Sequence, residues 1–338
     1  MYPVVRQLLS RPARGPVRHR PFVLACAALC ALGLASPAAA SQLIARNATH
    51  IHLAVDSHGK ALITFRSGRR VRHLLAWEAI NARPRPPRPG VPQVKFQLDY
   101  SGGRARFHRL VWKHFRNRCA PYDGPELPWL VTACKAPDGS YWALQTWQMA
   151  LPDLGFAPWL RRQRAWWLHL AHWSGPPARL DVYLDWVYSG RFQHLFGQYT
   201  YRGVGVRGFA TTHRGAPTDN YGRLVFLDTH NSKYGPGWRR ENSFVSSGPP
   251  GLICYGFYRF NPYVNGYAHP PRAPRRRGPG TGDMYRLTGV GPGVTPDVQW
   301  QGPGLHPYDP GNPADVTLET QMNAKLDQIR AGWHKCHA

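Results

Sequence analysis

The chain has 338 residues, with 43 Lys or Arg against 18 Asp or Glu and a formal net charge of +25. A chain of this size buries about three quarters of its unfolded surface, which excludes a small scaffold held together only by cross-links and allows one large domain or two small ones. The charge points to anionic partners such as envelope polymers, lipid headgroups or extracellular nucleic acid. Most of it is arginine, the lysines being Lys60, Lys95, Lys113, Lys135, Lys233, Lys325 and Lys335.

The first twenty residues carry Arg6, Arg11, Arg14, Arg18 and Arg20 and no acid, and an apolar run follows over 22–35. Small residues at Ala38 and Ala40 then fit a signal peptidase, so residues 1–40 read as a signal peptide cleaved between Ala40 and Ser41. The apolar run is shorter than the roughly 20 residues of a spanning helix, and Pro37 closes it. Val23-Leu24-Ala25-Cys26 comes too early in the run for a lipidation box, and no twin-arginine pair precedes it. We therefore expect a secreted or envelope-associated protein with no transmembrane segment after cleavage. Without the five arginines of its leader the mature chain, 41–338, keeps a net charge of +20.

Ile51, Leu53 and Val55 alternate, "DSHGK" turns, and 61–65 and 71–77 return, which predicts a β-meander over 41–81. The proline-rich stretch 82–92, "ARPRPPRPGVP", cannot pair in a sheet and reads as an extended connection. It is the best candidate for a boundary that would make the meander a subdomain of one β-rich domain. Alternation resumes over 93–99. Further strands are expected at 141–147, 165–173, 180–188, 199–209 as a hairpin about Arg202-Gly203, 223–228, 253–260 and 284–290. In "AWWLHLAHW" both faces are largely apolar, which predicts a strand covered on two sides.

Cys26 and Cys30 fall in the leader, leaving Cys119, Cys134, Cys254 and Cys336. An even set outside the reducing cytosol is normally paired, and four cysteines allow three connectivities. We favour Cys119 with Cys134, closing the loop "CAPYDGPELPWLVTAC", and Cys254 with Cys336, tying back the C-terminal tail. No Cys-x-x-Cys spacing indicates zinc. The neighbours of Cys254 match no cysteine-hydrolase pattern, so it reads as a cross-link and not a nucleophile.

Near the C-terminus, Asn312 caps a helix and Pro313 takes its first turn, while Asp315 suits its positive end. Leu318, Met322, Leu326 and Ile329 recur at helical spacing as a stripe that should dock on the sheet. The expected architecture is mostly β: an antiparallel sandwich-like body with long Pro/Gly-rich loops and one C-terminal α-helix.

Three groups of residues could carry chemistry. In "YGPGWRRENSF", residues 234–244, Trp238, Arg239, Arg240, Glu241 and Asn242 form a polar loop able to grip an anionic or sugar ligand, or simply to salt-bridge with itself. Tryptophans 129, 142, 147, 159, 166, 167, 173 and 186 are dense. Exposed rings could stack on sugars, but rings alternating with leucines are mostly core. Glycoside hydrolysis needs two carboxyl groups about 5 to 10 Å apart across a sugar. Glu241, Asp181 and Asp185 are the candidate acids, and the two aspartates share a strand face, where both could equally be solvent-facing partners for arginine. No nucleophile-elbow, zincin or P-loop pattern accompanies them. His169 and His172, three apart on a strand, point to opposite faces and cannot share a metal. "DTHNS", 228–232, lacks the spacing of a calcium loop, and no cofactor or metal is expected. Arg275, Arg276 and Arg277 lie in the long loop 268–283 and could touch phosphates without specificity. No fold signature indicates specific nucleic-acid recognition.

The stretches "LIARNATHIHLAVDSHGKALITF", "CAPYDGPELPWLVTACKAPDGSYWALQTWQ", "GRFQHLFGQYTYRG", "YGPGWRRENSF", "CYGFY" and "GPGVTPDVQWQGPGL" resemble a set of uncharacterised exported proteins of high-GC actinobacteria. The resemblance implies export and brings no activity and no catalytic residues. The reading favoured by charge and aromatic content is a secreted protein that binds a cell-envelope or extracellular polysaccharide or another anionic polymer. Alternatives are a secreted glycan hydrolase using paired carboxylates and a structural envelope component.

Overall fold

The computed structural model describes residues 41–81, 94–148, 165–187, 189–190, 192–206, 225–231, 237–240, 244–248, 251–256 and 282–330. They all fall within one compact unit, 37–338. The expected leader 1–40, the connection 82–92, Trp159, Glu241, Asn242, Arg275, Arg276, Arg277 and Cys336 lie outside the described residues.

The chain is mostly antiparallel sheet, arranged around two successive cores. The first half contains β1 (Gln42–Arg46), β2 (Ala48–Val55), β3 (Ala61–Ser67), β4 (Arg70–Glu78) and β5 (Phe96–Asp99). A short helix α1 (Arg104–Phe107) and a 3-10 turn (Val111–His114) follow, and then β6 (Ala120–Pro121), β7 (Leu130–Lys135), β8 (Tyr141–Gln148) and β9 (Trp166–Trp173). β2 to β5 form one sheet in sequence order, so β5, beyond the proline-rich connection, completes the meander. The other sheet runs β1-β9-β8-β7-β6. Alternation sends Ile63, Phe65 and Leu74 of the first sheet and Trp142, Leu144, Leu168 and Leu170 of the second into one buried cluster between them.

The second half repeats this plan. It contains β10 (Arg179–Val187), β11 (Phe192–Tyr201), β12 (Val204–Gly205), β13 (Val225–His230), β14 (Trp238–Arg240), β15 (Phe244–Gly248), β16 (Leu252–Gly256), β17 (Met284–Gly289) and β18 (Val298–Pro303). One sheet is ordered β10-β11-β16-β15 and the other β14-β13-β17-β18. Leu195, Tyr199 and Ile253 of the one meet Leu227, Tyr285 and Leu287 of the other. The expected helix is α2 (Pro313–Arg330). The Asn312 side-chain oxygen accepts the Ala314 N–H at 3.0 Å as its cap. Met322, Leu326 and Ile329 pack on Tyr183, Phe196, Leu252 and Cys254, as the sequence stripe requires.

Cys119 and Cys134 form a disulfide with a Cα–Cα distance of 5.6 Å, holding β6 against β7. Closing a loop of this length stabilises the fold by about 3 kcal/mol. Cys254 is buried in β16 and is also disulfide-bonded, so it is no free nucleophile. Most of the tryptophans are core: Trp142, Trp147, Trp173 and Trp186 are buried, Trp129 and Trp167 are half-buried, and Trp166 is 49% exposed.

Candidate functional site

The carboxylates expected to act together are separated by their surroundings. Asp181 lies towards the surface of β10, 2.8 Å from Arg179 Nε, as an arginine partner. Asp185, four residues on, is fully buried, which corrects the expectation that it could face solvent. Its Oδ1 lies 2.6 Å from His194 Nδ1 on β11. Its Oδ2 has no hydrogen-bond partner among the described residues. Burial pushes its pKa up against the pull of His194. Beside it Glu319 of α2 accepts the Trp186 N–H at 3.1 Å, and burial, followed by the Asp185 charge, raises its pKa too. Of the three expected acids, Glu241 lies outside the described residues, Asp181 is solvated and Asp185 is sealed beneath a helix, so the two aspartates do not present a pair of carboxyls to one sugar.

The segment expected as a polar loop is partly a strand. Trp238, Arg239 and Arg240 form β14 and pair with His230, Thr229 and Asp228. Its ring is engaged within the protein: the Arg286 guanidinium lies 4.4 Å from the Trp238 ring and 5.6 Å from that of Trp129. Arg286 is also held by the buried Asp228 at 3.2 Å. Trp129 stacks on Trp147, Trp147 meets Trp167, and Arg46 lies over Trp167 at 5.5 Å. This ladder of indoles and guanidiniums joins residues of both halves by dispersion and cation–π attraction.

His169 and His172 do point to opposite faces of β9. His172 stacks on Trp142, with ring centroids 3.8 Å apart, and burial lowers its pKa to about 4. His169 meets Ser41 and Asp297. Ser41 Oγ is 2.7 Å from His169 Nδ1 and donates to Asp297 Oδ1 at 2.5 Å, while His169 Nδ1 is 3.1 Å from Asp297 Oδ2. These are the residue types of a nucleophilic triad in a different geometry. Hydroxyl and carboxylate address the same ring nitrogen, whereas a base must hold the nucleophile on one nitrogen and its orienting acid on the other. All three residues are at most 4% exposed.

A surface feature not singled out from the sequence is the basic arm between β5 and β6. It carries Arg104, Arg106, His108, Arg109, Lys113, His114, Arg116 and Arg118, all exposed, and no acid. A charge count along this run would have found it. The arm is built to hold its shape. Asp99 accepts hydrogen bonds from the backbone N–H groups of Ser101 and Arg106, at 2.8 and 3.0 Å. Burial would raise the Asp99 pKa, but these bonds and the Ser101 hydroxyl leave it lowered. Gly102 and Gly103 turn the chain with positive φ, where a Cβ would strike the Trp112 and Val111 side chains. Trp112 stacks on His73 at 4.0 Å and Phe107 packs on Trp77. At the far end the Arg118 N–H donates to the Val55 carbonyl at 2.7 Å. With the β2–β3 turn the arm lines a cavity of about 810 Å³ whose walls include Arg109, Lys113, His114, Arg116 and Arg118. The acid there, Asp56, already accepts the His58 and Lys60 backbone N–H groups at 2.9 Å. None of the arm's lysine and arginine side chains forms an ion pair among the described residues.

No family model, curated protein or solved structure matches this chain. Among the described residues no helix is long and apolar enough to cross a membrane, and no group of three or more His, Cys, Asp or Glu could hold a metal ion.

Proposed function

We propose that this chain is an exported protein that binds an anionic polysaccharide of the cell envelope or its surroundings. The observation that carries the reading is the basic arm: a run of exposed cations without carboxylate partners among the described residues, anchored by aromatic packing and lining an open cavity. Cations fixed before binding lose little freedom on contact with a polymer, and their summed potential draws it in. The buried geometry of Asp185 and the solvated one of Asp181 favour binding over hydrolysis. The Trp238 segment, engaged with Arg286, is a support rather than the principal contact.

The test is retention on purified cell wall between about 0.01 and 1 M salt, across which the screening length falls from about 30 to about 3 Å. Strong retention at low salt, falling steadily as salt rises, is expected. Replacing Arg109, Arg116 and Arg118 together by glutamine should weaken it at least about tenfold. Absence of retention even at the lowest salt would remove the proposal.

A further inference from the structure

We propose that the pocket around Asp297 is the seat of a processed amino terminus, in which cleavage of the Ala40–Ser41 bond frees an α-ammonium group that pairs with the Asp297 carboxylate. The first observation is positional. Ser41, at the predicted cleavage point, is 2% exposed, although ends of chains normally lie in solvent. Its hydroxyl donates to Asp297 Oδ1, and its backbone nitrogen lies 3.4 Å from the Gly291 carbonyl oxygen. The N–H of that same Gly291 donates to Asp297 Oδ1 at 2.8 Å. The nitrogen that proteolysis would turn into an ammonium thus already stands beside the backbone that holds the acid.

The second observation concerns charge. Asp297 is completely buried, and burial would raise its pKa, yet His169, the Ser41 hydroxyl and the Gly291 N–H outweigh burial and hold it low. Trp147 Nε1–H adds a further donor at 2.8 Å. Among the described residues no lysine or arginine reaches it, and the ionisable group facing it is His169. His169 faces Asp297 through Nδ1 alone, and its Nε2 has no hydrogen-bond partner among the described residues. A buried carboxylate is costly unless its charge is fully compensated, and an α-ammonium at Ser41 would add a fixed cation beside it.

The consequence is mechanical. Asp297 lies in the β17–β18 loop of the second half. Gln145 of the first half clasps it, donating to its carbonyl at 3.1 Å and accepting its N–H at 2.9 Å. Gly291, where a Cβ would run into the Thr295 and Pro296 carbonyls, lets the loop fold back on itself. Removal of the leader would therefore complete a lock between the halves, so that the exported form is the stable one. This inference stands apart from polymer binding and can fail without it.

The full chain is expressed with its own leader, with and without three residues inserted between Ala40 and Ser41, each in the natural sequence and with Asp297→Asn. We expect the natural product to begin at Ser41 by N-terminal sequencing, and any other start would overturn the proposal. The insertion should lower the thermal midpoint by about 5 to 15 °C, and by far less when Asp297 is already asparagine. An equal loss in both backgrounds would reveal crowding alone and overturn the ion pair. Should Asp297→Asn not fold, acylation of the natural protein decides. Native Ser41 should react at least about tenfold more slowly than in denaturant, and equal rates overturn the proposal.

Discussion

Two fully buried aspartates are each bonded to a histidine, Asp297 where the second half meets His169 of the first and Asp185 within the second half, and the two behave in opposite ways. Asp297 receives four donors, from Ser41, Gly291, Trp147 and His169, and its pKa falls. Asp185 receives one, from His194, leaves Oδ2 without a partner among the described residues, and its pKa rises. Burial is the same for both. The difference shows that the number of donors aimed at a carboxylate, and not its depth, decides whether the charge survives in the interior.

The largest test of this contrast is Asp297→Asn. The amide cannot accept from all four donors, and it removes charge from a network that links the halves. A loss of about 3 to 5 kcal/mol in chemical denaturation is expected. The sign with pH follows from the lowered pKa. This stabilisation is present above the unfolded carboxylate value of 3.8 and is lost as pH falls through the folded one. A variant within about 1 kcal/mol of the natural protein would break the comparison.

His172 sharpens the same point with the opposite charge type. Held near 4 by burial, it stays neutral in the fold while the unfolded chain takes up a proton below 6.5. The unfolded state then binds more protons, so stability falls as pH drops from 6.5 towards 4, by about 3 kcal/mol in all. His172→Phe retains a ring against Trp142 and should flatten this part of the stability profile. An unchanged slope would show that the loss has another source.

Much of the architecture was legible because it is local. The alternation in β2 has a period of two, β9 reads as a strand apolar on both faces, and the α2 stripe has a helical period with an Asn-Pro start. β6 and β14 were not legible, being two or three residues beside proline and glycine and defined only by their partners. The Ser41–His169–Asp297 cluster draws on residues separated by 128 and by 256 positions, which no local pattern encodes. The shared strand face of Asp181 and Asp185 could be read, but not that α2 would cover one end of β10 and leave the other open. The arm's cations were plain in the sequence, whereas their rigidity rests on His73 and Trp77 of a neighbouring strand.

The smallest expected effect tests the other side of the contrast. Asp185→Asn keeps an acceptor for His194 Nδ1–H and removes a charge that burial already disfavours and that bears on Glu319. The cost should be under about 1 kcal/mol and could be a gain, because exchanging an under-bonded buried charge for a neutral group of the same shape removes its desolvation penalty. The pH dependence runs opposite to that of Asp297. With a raised folded pKa, the native state holds its proton while the unfolded chain has lost it, so this site reduces stability as pH rises from 3.8 through the folded value. The difference in stability between variant and natural protein, measured in urea at both ends of that interval, should therefore shift in favour of asparagine at the higher pH. If Asp185→Asn instead cost as much as Asp297→Asn, a single donor would suffice to hold a buried charge, and the distinction drawn between the two aspartates would fail.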